Sequence, residues 1–208
     1  MKLMKIFSLL PLLAVAALMF TACGSDDDDA GNTPNAYVDS RITNVVPEQY
    51  LNQIRNHMKI NDGLTPPNIE GIYLMHVSTL VFDSYNAKGI DTFNDAYFRF
   101  YDQNTANKTV KLLESGGTDG TGTGAYISGE GNNFTVFLNM SGSSHGFTYK
   151  EAVIISGTMT SEGIRNMEYC LLMIDNNDYE EKYIMKPGRF RIIKDGDGMS
   201  ENATWPVE

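Results

Sequence analysis

The sequence predicts an all-β domain, either an antiparallel β-barrel or a β-sandwich of about 8–10 strands, with one short amphipathic N-terminal helix. Strand-like runs recur at intervals of about ten residues, with no helical insertions between them. Turn-forming residues separate these runs. One run, residues 95–101, has the period of two that marks a half-buried strand. In it Ala96, Phe98 and Phe100 alternate with Tyr97, Arg99 and Tyr101.

One helix is predicted at residues 46–58. Pro47 suits a first helical position, and the carboxylate of Glu48 favours the positive end of the helix. The apolar side chains fall on one stripe at helical spacing, namely Tyr50, Leu51, Ile54 and Met58. The helix is expected to end at residues 61–63 and to pack across an opening or an edge of the β body.

The runs predicted as strands combine aliphatic, β-branched and aromatic residues between turn signals. They are residues 69–75, 78–83, 95–101, 109–114, 123–129, 133–139, 149–160, 164–175, 179–185 and 189–194. The first two are expected to pair with each other. Residues 160–163 and 175–178 have the composition of hairpin turns, so the strands that flank each turn are also expected to pair.

The N-terminus has the layout of a secretory signal peptide. Lys2 and Lys5 give it a basic start, and residues 6–20 carry no charge. This apolar stretch is shorter than the roughly 20 residues with which a helix spans a bilayer. Small residues follow it and have the pattern of a cleavage site. We therefore expect residues 1–22 to be removed and the remainder to act outside the cytoplasm.

Residues 20–23, Phe-Thr-Ala-Cys, resemble the lipobox of bacterial lipoproteins, with Phe20 where leucine is usual. In that family the cysteine sulfur is diacylated, the chain is cut just before it, and the new amino group is usually acylated. The resemblance implies that Cys23 is lipidated and incorporates palmitate. Each buried CH₂ contributes about 0.8 kcal/mol, so several acyl chains would anchor the protein stably in a membrane. The alternative is an ordinary secretory cleavage that leaves Cys23 as a free thiol.

An acidic run follows the lipobox closely, with Ser25 preceding Asp26, Asp27, Asp28 and Asp29. Adjacent carboxylates repel one another and resist burial, so residues 23–40 are predicted to form a solvated, flexible acidic tether. Metal binding is the alternative interpretation of the run. The serine and aspartates also resemble the export signal that sends Bacteroidetes lipoproteins to the cell surface. That resemblance implies a lipid-anchored protein on the outer face of the outer membrane.

Residues 41–208 are predicted to form a single β domain, large enough to bury a core of its own. The chain has 26 acidic and 16 basic residues and a formal net charge of −10, which argues against nucleic acid as a partner because phosphates require a basic patch. Besides Cys23 the sequence contains only Cys170, so no disulfide is expected within the domain. Cys170 lies in an apolar run and is expected to be a buried, unreactive thiol.

Four segments carry a further resemblance: residues 66–73 (PPNIEGIY), 131–137 (GNNFTVF), 155–158 (ISGT) and 194–198 (KDGDG). Together they resemble a group of Bacteroidetes surface lipoproteins that has no established activity, and the resemblance covers most of residues 45–198. Some of that group are lipocalin-like, and a short helix before a Gly-x-aromatic strand is similar to the opening of a lipocalin. Tyr73 stands where lipocalins have tryptophan, and no C-terminal helix is predicted. The resemblance implies a lipocalin-like barrel.

The sequence predicts no catalytic residue, metal site or cofactor. Residues 115–132 are rich in glycine but lack the lysine and helix of a phosphate-binding loop, so a flexible hairpin tip is predicted. Asp195 and Asp197 suggest a calcium loop, but the glycine at its sixth position is missing, and a turn after the last strand is expected instead. Residues 175–181 suggest the same site and meet the same objection.

The histidines and the carboxylates offer no stronger site. His57, His76 and His145 do not share a metal-ligand spacing, and His145 lies in a glycine-flanked segment typical of a loop. Among the acidic residues, Glu70 and Glu168 stand in strongly apolar settings within strands. Both are expected to point outward.

The aromatic residues in the predicted strands are the strongest candidates for contacting a ligand. Tyr97 and Tyr101 flank Arg99 on one strand face, where they could stack on a sugar ring or line an apolar cavity. Cross-strand packing is the alternative. The sequence therefore predicts a surface-anchored module that binds a glycan or a small apolar ligand. The alternative is a non-catalytic structural or accessory subunit, or an adhesin, with an outer-membrane protein as partner. A hydrolase is the third hypothesis.

Overall fold

The architecture is all-β, which confirms the predicted fold class at that level. The computed structural model describes residues 39–85, 92–116, 119–180 and 184–206, all within the unit Tyr37–Glu208. These residues contain two short helices and eleven strands, and the strands form one sheet. The residues predicted to be processed or to direct export lie outside the described residues and stay predictions: Cys23, Ser25, Asp26, Asp27, Asp28 and Asp29.

The helices are α1 (Ser40–Val45) and α2 (Glu48–Ile54). The strands follow in chain order as β1 (Leu64–Thr65), β2 (Gly71–Met75), β3 (Thr79–Asp83), β4 (Ala96–Asn104), β5 (Thr109–Ser115), β6 (Asp119–Glu130), β7 (Asn133–Ser144), β8 (Phe147–Met159), β9 (Gly163–Asp175), β10 (Phe190–Lys194) and β11 (Met199–Asn202). Helix α2 matches the predicted helix. The sequence pattern does not predict helix α1. The side chain of Asp39 caps this helix by accepting a hydrogen bond from the Arg41 N–H.

The sheet curls into a partial ring because β11 joins two of its parts. The hydrogen-bonded order is β11-β2-β4-β5-β6-β7-β8-β9-β10-β3, and β11 also pairs with β9. Glu201 on β11 lies opposite Leu74 of β2 on one side and opposite Gly163 of β9 on the other. Strands β10 and β3 continue the sheet beyond β9. The short β1 pairs in parallel with β6.

The central strands β7, β8 and β9 are covered on both faces. Successive side chains of a strand point to opposite faces, yet Phe134 and Thr135 of β7 are both fully buried. The segment after α2 lies against this strand, since Asn61 donates its backbone N–H to Oγ1 of Thr135 (2.8 Å) and its side-chain amide to the carbonyl of Phe134 (2.9 Å). Just after α2, His57 stacks on Phe82 of β3 with ring centres 3.6 Å apart. The N-terminal segment therefore packs on the sheet and extends its core.

Aromatic side chains fill much of the inner face of the ring. The predicted alternation along β4 is confirmed, and Phe98 and Phe100 point inward and are fully buried. The ring centre of Phe100 lies 6.1 Å from that of Tyr73 on β2 and 6.5 Å from that of Phe134 on β7. The Tyr73 hydroxyl donates to the carbonyl of Ile69 (3.2 Å). Each such ring contributes about 1.5–3 kcal/mol by burial, so this packing is a main source of stability.

Two predicted strand pairings are wrong. Strands β2 and β3 match the first two predicted runs, but β2 pairs with β4 and β11, whereas β3 pairs with β10. The predicted strand at 179–185 is not formed at residues 179, 180, 184 and 185, and β9 pairs instead with β8, β10 and β11. In both cases the predicted partner is the next strand along the sequence, whereas the observed pairing includes a more distant strand. The hairpin at residues 160–163 is confirmed, since β8 pairs with β9 across it.

Two other strands differ from the sequence prediction. The run predicted at residues 123–129 is part of β6, and the glycine-rich residues 119–122 before it belong to the same strand, which pairs with β5 and β7, and do not form a hairpin tip. Gly120 is in register with Gly142 of β7, so the two strands approach without intervening side chains. The turn at residues 195–198 is followed by β11, so it does not end the sheet. Within the described residues, no helix is long and apolar enough to cross a membrane.

Candidate functional site

A cavity of about 360 Å³ lies at the end of the sheet where β2 ends and β4 begins. Met75 of β2 and Ala96 of β4 are paired in register and form one wall. Phe93, Leu171 of β9 and Ile193 of β10 complete the apolar lining. The cavity therefore has walls from strands that are far apart in sequence.

The polar centre of the cavity is a hydrogen bond between Tyr169 and Glu114. The Tyr169 hydroxyl donates to Oε2 of Glu114 at 2.7 Å, and both residues line the cavity. They are 3 % and 6 % exposed, respectively. Glu114 faces inward because it continues the alternation of the buried residues Val110 and Leu112 along β5. A carboxylate is thus held in an apolar interior by a donor on a different strand.

A second acid, Glu151 of β8, is buried close to the first. It is 3 % exposed, and its Oε1 makes no hydrogen bond within the described part of the chain. Burial raises the pKa of Glu151 well above its usual value, and the nearby charge of Glu114 raises it further. Burial also raises the pKa of the Tyr169 hydroxyl, with added contributions from Glu114 and Glu151. Glu151 therefore favours its neutral form, and Tyr169 keeps its proton.

Ser78 places another unsatisfied polar atom at the cavity wall. The residue is 2 % exposed, and its Oγ has no hydrogen-bond partner among the described residues. The residue before it, Val77, has a φ of 53°, a left-handed conformation that is strained for a β-branched side chain. The backbone of Val77 is held there by a hydrogen bond of its N–H to Oδ1 of Asp95 (3.2 Å). The turn between β2 and β3 thus holds Ser78 in place at a cost in conformational energy.

Arg191 of β10 also lines the cavity, and an acid engages its positive charge. Its Nε donates to Oδ2 of Asp83 at 2.7 Å, and the side chain of Asp83 is only 5 % exposed. The pair joins β10 to β3 across their register. A partly buried ion pair of this kind fixes the guanidinium in place, because separating it would leave a buried charge.

A larger groove of about 750 Å³ lies across β5 to β8. Two adjacent register rows line it, one of Leu113, Thr121, Ser141 and Lys150 and the other of Glu114, Gly120, Gly142 and Tyr149. Trp205, the only tryptophan of the chain, lines the groove. The groove combines hydroxyl groups with one large aromatic ring.

The aromatic residues singled out in the sequence do not line either site. Arg99 is exposed on β4, and its guanidinium carbon lies 5.7 Å from the ring centre of Tyr101. The ammonium of Lys111 lies at the same distance from that ring. Tyr97 occupies the same outer face. The contact of Tyr101 with Lys111, which lies opposite it on β5, favours the cross-strand alternative for Tyr101.

The predicted acidic turn is occupied by its own hydrogen bonds. Asp195 is 2 % exposed, and its Oδ2 accepts from Oγ of Ser200 (2.9 Å) and from the N–H of His76 (3.3 Å). Its Oδ1 accepts from the N–H of Asp197 (3.3 Å). Across the described residues, no three His, Cys, Asp or Glu side chains are grouped to hold a metal ion. Asp195 therefore has a structural role in joining β10 to β11.

Glu70 is exposed, as expected, whereas Glu168 is half-buried and accepts a hydrogen bond from the N–H of Lys59 (3.0 Å). The two buried glutamates, Glu114 and Glu151, are not predicted from the sequence. The alternation of apolar residues along β5 is the signal that would have found Glu114. Cys170 is buried as expected, and burial raises the pKa of its thiol.

No protein-family model, curated protein or solved structure matches the chain. The cavity beside Glu114 and Tyr169 and the groove beside Trp205 are concave sites of the described residues.

Proposed function

We propose that this chain is an outer-membrane lipoprotein, anchored through Cys23 and exposed at the cell surface, whose β domain binds a small, partly apolar ligand. The anchoring and export parts of the proposal rest on the sequence of residues 20–29. The binding part rests on the cavity beside Glu114 and Tyr169. The proposal describes a binding protein without catalytic residues.

The composition of the cavity is the observation that carries the binding function. Small-molecule sites are concave and mostly apolar, have a few placed polar groups, and occupy about 300–1,000 Å³. The cavity, at about 360 Å³, has aliphatic and aromatic walls with a hydroxyl–carboxylate pair on one side. Unsatisfied polar atoms in such a place favour a ligand that completes their hydrogen bonds. Ser78 Oγ is such an atom.

We further propose that the partial ring is a lipocalin-like barrel with the cavity at its mouth. The pairing of β11 with both β2 and β9 supports this proposal, because it joins the first and last parts of the ring. Tyr73, at the position where lipocalins have tryptophan, is buried on the inner face. The cavity lies at the C-terminal end of β2, beside Met75.

Binding of a glycan in the groove beside Trp205 is the second candidate function. Aromatic rings stack on the apolar faces of sugars, and hydroxyl and amide groups bind their oxygens. The groove offers the ring of Trp205 beside Thr121, Ser141 and Asn177. The amide of Asn177 is already engaged, since it donates to the carbonyl of Thr148 (2.7 Å). The cavity is the better candidate because the buried Oγ of Ser78 in its lining has no hydrogen-bond partner among the described residues.

An accessory subunit or adhesin is the remaining alternative. Strand β3 is the last in the sheet order, and Val81 on it is 42 % exposed, so this strand offers an edge to which a partner could add. This alternative predicts binding to another outer-membrane protein. It makes no use of the cavity beside Glu114.

Blocking the cavity tests the binding function. In Leu171→Trp a larger ring would enter the cavity from β9, whereas Ile174→Trp places the same ring at a position of β9 that is 42 % exposed. We expect small aromatic alcohols and amines to raise the melting temperature of the mature chain and of Ile174→Trp, but not that of Leu171→Trp. If these compounds stabilise all three proteins equally, or none of them, the cavity is not the site.

A further inference from the structure

Two carboxyl groups are buried together beside the cavity. Glu114 lies in register with Gly120, Gly142 and Tyr149 across β5 to β8. Because both intervening residues are glycine, no side chain separates Glu114 from Tyr149 along this row. A methyl group at Gly142 would lie 2.8 Å from the Tyr149 hydroxyl, so the tyrosine side chain covers that glycine. Glu151 follows Tyr149 by two residues and faces the same side.

The hydrogen bonds inside the domain do not fully satisfy this pair. Tyr169 donates to Glu114, but Oε1 of Glu151 has no partner among the described residues. Ser78 adds a second unsatisfied oxygen, which lies at the cavity wall. Both atoms can accept a hydrogen bond. A bound group with N–H donors would complete the hydrogen bonding of Ser78 Oγ, and its positive charge would offset the cost of burying two acids.

The other ionisable groups around the cavity allow such a ligand. Arg191 on β10 faces the cavity, but Asp83 holds its guanidinium at 2.7 Å. His145, between β7 and β8, is exposed at the rim. Burial raises the pKa of the Tyr169 hydroxyl on β9, so this group keeps its proton and remains uncharged. Among the residues described in the cavity lining, Glu114 is therefore the source of negative charge facing a ligand.

We propose that the cavity selects a small ligand that carries a protonated amine, with the ammonium against Glu114, close to the buried Glu151, and the apolar part against Met75, Phe93 and Leu171. This inference rests on the proposed function, since it names the class of ligand that the cavity takes. An ammonium group supplies donors and a charge together, whereas an alcohol of the same shape supplies one donor and no charge. The selectivity is therefore electrostatic.

Binding of an amine is coupled to proton release. Burial and the charge of Glu114 hold the pKa of Glu151 above its usual value, so without a ligand its carboxyl retains a proton over a wider pH range. An ammonium nearby lowers that pKa, and part of a proton leaves as the ligand enters. Affinity for the amine therefore increases with pH through this titration. The affinity for a neutral ligand does not follow the same trend.

Two isosteric probes test the inference. Phenethylamine and 2-phenylethanol have the same ring and chain and differ in the ammonium and hydroxyl groups. Calorimetry on the mature chain would measure both affinities, and repeating the amine titration in two buffers of different ionisation enthalpy would count the protons released. We expect the amine to bind at least about tenfold more tightly than the alcohol, and only the amine to release protons.

Three variants test whether the two buried glutamates produce the preference for the amine. Glu151→Gln and Glu114→Gln each keep the shape of the side chain, and Glu162→Gln makes the same change at an exposed turn residue. We expect each of the first two to reduce the preference for the amine to about threefold or less while binding of the alcohol persists, which reports an intact cavity. Glu162→Gln should retain the full preference. If Glu114→Gln does not fold, the preference measured in Glu151→Gln tests the inference.

The outcomes distinguish this inference from the proposed function. Equal affinities for the two probes, both lost in Leu171→Trp, would overturn the amine selectivity and leave a small-ligand cavity. A preference for the amine that persists in Glu151→Gln and Glu114→Gln would also overturn it. Failure of both probes and of neutral aromatic compounds to bind would overturn the proposed function, and the inference with it.

Discussion

The hydroxyl of Tyr169 donates a hydrogen bond of 2.7 Å to Oε2 of Glu114, a residue 55 positions away in the sequence. Strands β9 and β5 are not neighbours in the sheet order, so this bond crosses the interior of the ring. The ring of Phe98 packs edge-on against Tyr169, with centres 5.1 Å apart. The contact holds a carboxylate at the cavity wall, and the stability of the domain and the chemistry of its cavity both depend on it.

Removing the Tyr169 hydroxyl should destabilise the domain. Tyr169→Phe keeps the ring against Phe98 but deprives the buried Glu114 of this donor. We expect the free energy of unfolding, measured by urea denaturation, to fall by about 1–3 kcal/mol. The control Tyr97→Phe, on the outer face of β4, should change it by less than about 0.5 kcal/mol. Equal effects of the two variants would mean that the buried hydrogen bond contributes nothing specific.

Glu151 should make the domain less stable as the pH rises. The folded state raises the pKa of this carboxyl above its usual value of 4.5, so the folded protein retains a proton that the unfolded chain releases. The contribution of Glu151 is therefore fully present below pH 4.5 and is lost as the pH rises toward the folded-state pKa. Glu151→Gln should remove this loss, so that the variant gains stability relative to wild type between pH 4.5 and neutral pH.

Thermal melts of wild type and variant across pH 4 to 8 would measure this difference. Glu162→Gln, at an exposed turn, is the control and should follow wild type at each pH. A constant difference in melting temperature between Glu151→Gln and wild type would show that Glu151 has the same pKa in the folded and unfolded states.

Helix α2 should contribute strongly to stability through Ile54. This side chain is fully buried and belongs to the hydrophobic core. Ile54→Ala should lower the free energy of unfolding by about 2–5 kcal/mol, because it removes buried methyl groups and leaves a cavity. The control Asn52→Ala lies on the exposed side of the same helix and should change stability little. Similar effects of both variants in urea denaturation would contradict the packing of α2 on the sheet.

The N-terminal residues predict a separable anchor and export signal. Cys23→Ala should abolish palmitate labelling in cells, whereas Cys170→Ser should retain it because Cys170 is buried in the domain. Replacing Asp26, Asp27, Asp28 and Asp29 with alanine should retain the lipid but remove antibody staining of intact cells. Palmitate labelling of the Cys23→Ala variant would contradict the lipid anchor. Unchanged surface staining of the alanine variant would contradict the export signal.

The sequence predicts the strands with strong alternation and misses elements whose partners are remote. The side chains of β4 alternate clearly, and the structure places Phe98 and Phe100 inside as expected. The first part of β6, residues 119–122, is missed because glycine is a weak strand former, and only the register with β7 shows that Gly120 and Gly142 lie opposite each other. Helix α1 is missed because its six residues are too short for a helical stripe.

The candidate site is less predictable than the fold. The period-two pattern of β5 places Glu114 on the inner face, but no local pattern indicates that Tyr169 would meet it from β9. Glu151 lies at the start of a long apolar run, where alternation is lost because β8 is buried on both faces. The cavity is formed by turns and strand ends that come together only in the folded sheet, so its chemistry depends on long-range pairing.

A crystal structure of the mature chain with phenethylamine tests the central claim most directly. The account predicts the ligand in the cavity, its ring against Leu171 and its nitrogen about 2.8 Å from a carboxylate oxygen of Glu114. A ligand bound instead in the groove beside Trp205, with the cavity closed by movement of Phe93 or His145, would contradict it.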